Sequence, residues 1–321
     1  MKRLKPILAV FLILLLAIGM TACSSGSAEA EDTTSEVAED VTKSAEPAEA
    51  VTTVANTTAD GAIDASDLFS DRDLTQTADL SEAKTVTVSD GETIKITDEG
   101  VYVITGSATE AQILVEAAED AKVQLVLDGV SITNTSTPCI YVKSADKVFV
   151  TTTDSENSLS VTGTFTADGE TNTDAVIFSK EDLVLNGTGT LTITSTDNGV
   201  SCKDDLKVTG GTYVISCASD ALEANDSISI AGGDFTITAG KDGLHCENDE
   251  DLSLGSICIL GGSFQIEAGS DGIQGTTLTQ IDGGDFAISA AEGIESTYIQ
   301  INGGDVRISA TDDGVNASQK S

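Results

Sequence analysis

The 321-residue chain sets 53 acidic side chains against 16 basic ones, a formal charge of -37, with one histidine and no tryptophan. Nucleic acid and anionic lipid surfaces are therefore poor partners, and a cation or a neutral or cation-bridged ligand is the better one. Charge of this size also keeps a surface protein soluble, so function has to be sought in where the acids stand.

Lys2, Arg3 and Lys5 precede an apolar run from Ile7 to Ile18 and then small residues up to Cys23, the layout of a cleaved export signal spanning residues 1–22. The run is too short to span a bilayer permanently. Its removal takes away three positive charges and no negative one, so the charge moves from -37 to -40. Met20-Thr21-Ala22-Cys23 resembles the lipobox of bacterial lipoproteins. That resemblance implies acylation of Cys23 and a place on the extracellular face of the cell membrane, held stably if two or more acyl chains are added. A plain secretory signal with an incidental cysteine is the alternative.

Residues 23–66 follow as Ala, Glu, Thr and Ser with no aromatic, a composition that cannot bury a core and predicts a flexible tether. From 67 to 321 the chain breaks into short β-rich segments divided by Gly, Asp and Asn. Aligned on the anchor glycines Gly189, Gly211, Gly233, Gly262, Gly284 and Gly304, the spacings are 22, 22, 29, 22 and 20. Four residues after each anchor stands an isoleucine, from Ile193 to Ile308. Two after it come Leu191, Tyr213, Phe235, Phe264, Phe286 and Val306. This alternation is that of half-buried strands, and stacking identical positions in every coil builds one continuous core.

Each coil holds three strand pieces, such as Ile228 to Ile230, Phe235 to Thr238 and Leu244 to Cys246. The predicted fold is all-β, a right-handed parallel β-helix with coils of about 22 residues, the hand following from parallel crossover connections. Leucine-rich repeats share the period but not the signature. Val123 to Leu127, Ile140 to Val142, Val148 to Val150 and Val176 to Leu185 read as irregular N-terminal coils. Cys202 and Cys246 fall two coils apart with Ala224 between them, too far for a disulfide, and are predicted as small buried thiols.

The turn before the third strand places Asn198, Asp220, Asp242, Asp271, Glu292 and Asp313 at one point of successive coils. The next outward position gives Ser201, Glu223, His245, Gln274, Glu295 and Asn316. Two carboxylates about 5 Å apart repel by roughly 3 kcal/mol at an effective dielectric near 20, so splayed side chains, raised pKa values or cations must relieve the column. Clustered oxygen ligands are what Ca²⁺ selects. Asp before Gly is also good turn chemistry, which accounts for any single member. The expected metal ligands are Asp220, Asp242, Asp271, Glu292 and Asp313, with Asp249 and Asp251 of the longer Glu247–Asp251 turn as a second set. Glu223, His245, Gln274, Glu295 and Asn316 are the expected ligand-binding file. His245, the one histidine, has no companion nucleophile and reads as a polar surface residue.

Ala291-Glu292-Gly293-Ile294-Glu295, Asp312-Asp313-Gly314-Val315-Asn316-Ala317 and the opening Leu68-Phe69-Ser70-Asp71-Arg72-Asp73-Leu74 resemble the bacterial family of carbohydrate-binding domain-containing proteins, from about Leu68 to the end. The resemblance implies a polysaccharide-lyase-like right-handed β-helix on the cell surface. It further implies binding of plant-type polysaccharide of the pectin or cellulose class, with Ca²⁺ along the helix and no established catalysis. Family members usually continue with further coils, so the last coil here is expected to lack a cap and the chain to be a fragment.

Three readings follow. A polysaccharide binder would work through hydrogen bonds or Ca²⁺ bridging, since among the later aromatics only Tyr298 is predicted to point outward. A Ca²⁺-dependent lyase acting by β-elimination would need a base, for which Lys241 and Lys203 alone are well placed. A structural stalk or adhesin would need neither. The first is favoured, for a monomer that touches the membrane through its lipid only.

Overall fold

The computed structural model describes residues 61–248 and 250–318. The export signal, Cys23, most of the tether and Asp249 lie outside the described residues.

The described strands form a parallel solenoid of about ten turns with coils of roughly 23 residues. One coil runs through Ser227–Ile230, Asp234–Ala239 and Leu244–Cys246. Each strand pairs in parallel with the strand one coil earlier and one coil later. In the third strand the inward file Val200, Leu222, Leu244, Ile273, Ile294 and Val315 is in register through the whole second half. In the middle strand Tyr213, Phe235, Phe264 and Phe286 stack face to face, with centroids 5.3, 4.7 and 4.5 Å apart. Burial of these rings and of the isoleucine file from Ile193 to Ile288 supplies the main driving force, because each coil can hide its apolar face only against its neighbours.

The anchor glycines are required by the same stacking. Gly262 has φ +118, and a Cβ there would lie 2.9 Å from the carbonyl oxygen of Gly233 in the preceding coil. Only glycine combines that backbone conformation with that approach.

Two boundaries differ from expectation. Val176 to Leu185 is two strands, Ala175–Ser179 and Asp182–Gly187, separated by a turn at Lys180 and Glu181. Conversely Asp271–Ile281 and Glu292–Ile301 each run through what was expected to be a turn, with a register shift between Gly275 and Leu278. The tether expected to reach residue 66 ends earlier, since Ala62 and Ile63 are buried and the Ile63 N–H donates to Gln280 Oε1 at 2.7 Å. Cys139, Cys202, Cys217, Cys246 and Cys258 are free and buried.

Three outward faces result, and they differ in character. The face carrying Asp182–Gly187, Asp205–Val208 and Ser227–Ile230 is covered by residues 61–76. There the short helix Asp71–Leu74 is capped by Ser70 and Asp73, the Asp73 carbonyl accepts from Thr209 Oγ1 at 2.5 Å, and Gln76 Oε1 accepts from the Gly187 N–H at 2.9 Å. The Arg72 guanidinium lies 4.5 Å over the Phe149 ring. The second face carries the acidic column. The third, formed by strands such as Thr212–Cys217, Asp234–Ala239, Ser263–Ala268 and Asp285–Ala290, is open.

Candidate functional site

The acidic column stands where the sequence puts it, but it is not a row of exposed carboxylates. Asn198, Asp220, Asp242 and Asp271 are all buried, at 6, 4, 5 and 6% exposure. Each of the first three reaches one coil forward: Asn198 Oδ1 accepts from the Asp220 N–H at 2.9 Å, Asp220 Oδ1 from the Asp242 N–H at 2.9 Å, and Asp242 Oδ1 from the Asp271 N–H at 2.8 Å. One oxygen per residue is thus structural, satisfying a buried backbone donor, while the second oxygen of Asp220 and Asp242 and the Nδ2 of Asn198 are turned to the outward file. The run ends at Asp242, because the Glu292 N–H donates to the Ser270 carbonyl instead.

The outward file divides into two clusters. In the first, His245 Nδ1 lies 3.5 Å from Asp220 Oδ2 and 3.7 Å from Asp242 Oδ2, while Nε2 lies 3.3 Å from Glu247 Oε2. The expectation of a polar surface histidine is corrected: its side chain is only 19% exposed and sits among three carboxylates. Burial works against the imidazolium, but the hydrogen bond to Asp220 and the charges of Asp220, Asp242 and Glu223 outweigh it and raise the pKa. Asp220 responds in kind, since burial would raise its pKa but His245 and the Asp242 N–H bring it below the ordinary value.

In the second cluster, Asp271, Glu292 and Glu295 each offer an oxygen within 4.8 Å of the others. Asn316 Nδ2 donates to Glu292 Oε2 at 2.9 Å, and Gln274 Nε2 and Ser318 Oγ donate to Glu295 at 3.4 and 3.1 Å. These donors are neutral. Burial first, then the charges of Asp242, Glu295 and Glu292, push the Asp271 carboxyl up to about 7, while the His245 charge reaches Asp271 and works to lower it. A buried carboxylate with carboxylate neighbours and only neutral donors has the chemistry of a hard-cation ligand set.

The other expected residues stand around or away from these clusters, with Lys203, Glu223 and Asp251 lining one cavity of about 580 Å³ together with His245 and Glu247. Asp313 is exposed on the last described coil. Asp251 Oδ1 accepts from the N–H and hydroxyl of Ser253, so it closes its own turn. Glu223 accepts from Asn198 Nδ2 at 2.8 Å and pairs with Lys203 at 3.3 Å. The Lys203 ammonium also lies 5.7 Å from the centre of the Phe178 ring, whereas Lys241 is exposed. Ser201, expected in the outward file, is fully buried with no partner for its hydroxyl.

Two features were missed. Asp174 lies beside Glu223 and Lys203, and burial followed by the Glu223 charge pushes its carboxyl up to about 6. Thr173-Asp174-Ala175 echoing Ser219-Asp220-Ala221 is the signal that could have found it. Burial, then Asp182 and Asp205, push Asp204 up to about 7, and Asn248 Nδ2 donates at 2.8 Å to the nearby Asp226, which shares a cavity with His245 and Glu247.

Comparison with known proteins bears on this arrangement. The family model of carbohydrate-binding domain-containing proteins matches residues 90–321. A protein of that description from Acetivibrio thermocellus is 37% identical over 136 residues, which cover 40% of this chain and 46% of the relative, so the match spans less than half of that protein. A solved structure described as a polysaccharide lyase-like protein from C. thermocellum, a gadolinium derivative, superposes with a TM-score of 0.60 at 29% identity, over 73% of this chain and 99% of the other.

Proposed function

The chain belongs to the family of carbohydrate-binding domain-containing proteins, and on that premise we propose that it binds polysaccharide of the plant cell-wall class, with Ca²⁺ held by Asp271, Glu292 and Glu295. The observation that carries the reading is the second cluster, three converging carboxylates whose hydrogen-bond donors Asn316, Gln274 and Ser318 are neutral. Ca²⁺, when bound, supplies the charge that lets an acidic glycan approach an acidic protein. The residues of the chain do the rest. Asp242 orients Asp271 through its backbone bond, Asn316 fixes Glu292, and the half-buried Gln274, Glu223 and Asn316 stand in the same file to meet sugar hydroxyls.

Residues 1–23 support export and a lipid anchor at Cys23, hence action at the extracellular face of the cell membrane. The test is retention on polygalacturonate. The protein is expected to bind with millimolar Ca²⁺ and to be released by EDTA. Retention that EDTA leaves unchanged would remove the metal from the reading, and no retention in either condition would remove the acidic glycan.

A further inference from the structure

Residues 61–76 cross five coils of the solenoid, held by hydrogen bonds that each join a side chain of one partner to the backbone of the other. In the outward file beneath them Val184, Lys207, Ser229, Cys258 and Gln280 are successive rungs in register. Two of these rungs grip the segment: Gln280 Nε2 donates to the Ile63 carbonyl at 3.2 Å, and Lys207 Nζ to the Leu68 carbonyl at 2.7 Å. Asp64 to Asp67 therefore pass over the rungs between, Ser229 and Cys258, which are buried although they point outward. At the other end Asn186 Nδ2 donates to the Thr75 carbonyl at 3.2 Å. Of the segment itself Ala62, Ile63 and Asp73 are buried and the rest is half-buried or exposed, so little apolar surface holds it down. Closure also buries the Asp73 carboxylate, whose Oδ1 has no hydrogen bond and lies 3.7 Å from the Lys147 ammonium, a cost that offsets part of the gain.

We propose that residues 61–76 are a detachable clasp, which opens as a unit while the coils beneath it stay folded and which takes up load arriving from the N-terminal side of the chain. Among the described residues the chain first meets the coils at Ile63, on the rung of Gln280, and only then runs back past Gly187 to the first strand, Lys84–Thr87. A pull from the N-terminal side reaches the clasp contacts one after another, from Ile63 to Gln76, before it reaches any coil. The coils are joined by continuous parallel ladders instead, such as the six paired residues of Asp182–Gly187 and Lys147–Thr152, so they yield last. Cys258 marks the state of the clasp. Cys139, Cys202, Cys217 and Cys246 pack into the apolar core, whereas Cys258 stands outside it and is covered from the outer side. Burial, then the charge of Asp282, push its thiol up to about 12, so it is inert while covered. Opening exposes this thiol and leaves the other four in place.

The clasp is independent of the cation site and of the glycan, so neither enters its test. Native protein is alkylated with N-ethylmaleimide, and peptide mass spectrometry reads each thiol separately. Among the five buried cysteines Cys258 is expected to react alone and slowly. Gln280→Ala combined with Ile63→Ala is expected to speed that reaction by about tenfold or more, through loss of the bonds at Ile63, with the main melting transition retained. Lys207→Met, which removes the bond to Leu68, is the companion variant if the pair lowers that transition. Optical-tweezers pulling on the full chain from its two ends is expected to show a first release on the order of 5 nm, the extended length of residues 61–76, ahead of the coil ruptures. The proposal is overturned if the five thiols react at one common rate, if Cys258 of the wild type reacts as fast as an unfolded thiol, or if the loosened variants leave its rate unchanged. It is equally overturned if pulling ruptures a coil before the short release.

Discussion

The two halves of the carboxylate strip occupy equivalent positions in successive coils and yet solve the same electrostatic problem differently. At Asp220 and Asp242 the outward file supplies His245, an internal cation held by both carboxylates. At Asp271, Glu292 and Glu295 the file supplies Gln274, Glu295 and Asn316, none of them positive. The first half carries its own counter-charge, and the second relies on a proton or an external cation. One position in a repeat, His245 against Gln274, separates a self-compensated stretch from a cation-seeking one.

Asp242 stands at the junction, and its removal should have the largest effect. Asp242→Ala leaves the buried Asp271 N–H without its acceptor and takes a partner from His245, so the expected loss is about 3 kcal/mol, read as a shift of the denaturation midpoint. A loss below about 0.5 kcal/mol would mean that water replaces the carboxylate, and the ladder would not be structural.

The pH dependence sharpens the contrast. The folded Asp271 carboxyl sits at about 7 against 3.8 unfolded, so between those values the folded state holds the extra proton. Without Ca²⁺, stability should fall as pH rises through that window, by up to about 1.4 kcal/mol per pH unit from this group. His245 contributes in a separate window: its raised pKa adds stability below its unfolded value of 6.5 that is lost as pH rises through the folded one. Asp271→Asn should flatten the acid-side fall and make the metal-free protein more stable than wild type at pH 8. Chemical denaturation at several pH values checks this, and parallel wild-type and variant curves would contradict it.

The smallest effect is expected from turning the first half into a copy of the second. His245→Gln should cost about 1 kcal/mol at pH 6 and less at pH 8, and should make the thermal stability newly responsive to Ca²⁺ at Asp220 and Asp242. A variant with wild-type stability at pH 6 would show that the imidazolium does not hold this half together.

Much of this arrangement was legible in the amino-acid order, for physical reasons. Glycine, isoleucine and aromatic positions repeat because stacking imposes identical packing at every coil, and so the core files and the acidic column could be aligned by eye. The environment of His245 was not legible, because its burial depends on Glu247 folding back from a turn whose path the repeat does not specify. Nor was the split duty of the aspartates, one oxygen for a backbone N–H and one for the site, since Asp in a turn reads the same whether its carboxylate is solvated or buried. The covering segment 61–76 was hidden for a related reason: Asn186, Thr209 and Gln280 look like ordinary outward polar residues until the segment they hydrogen-bond to is in place.

Isothermal titration with CaCl₂ of the wild type, of Asp271→Asn/Glu292→Gln/Glu295→Gln and of Asp220→Asn/His245→Gln addresses the contrast most directly. Wild type is expected to bind Ca²⁺ at the second cluster, the first variant to lose that site, and the second variant to keep it. Binding that survives in the first variant and vanishes in the second would contradict the assignment.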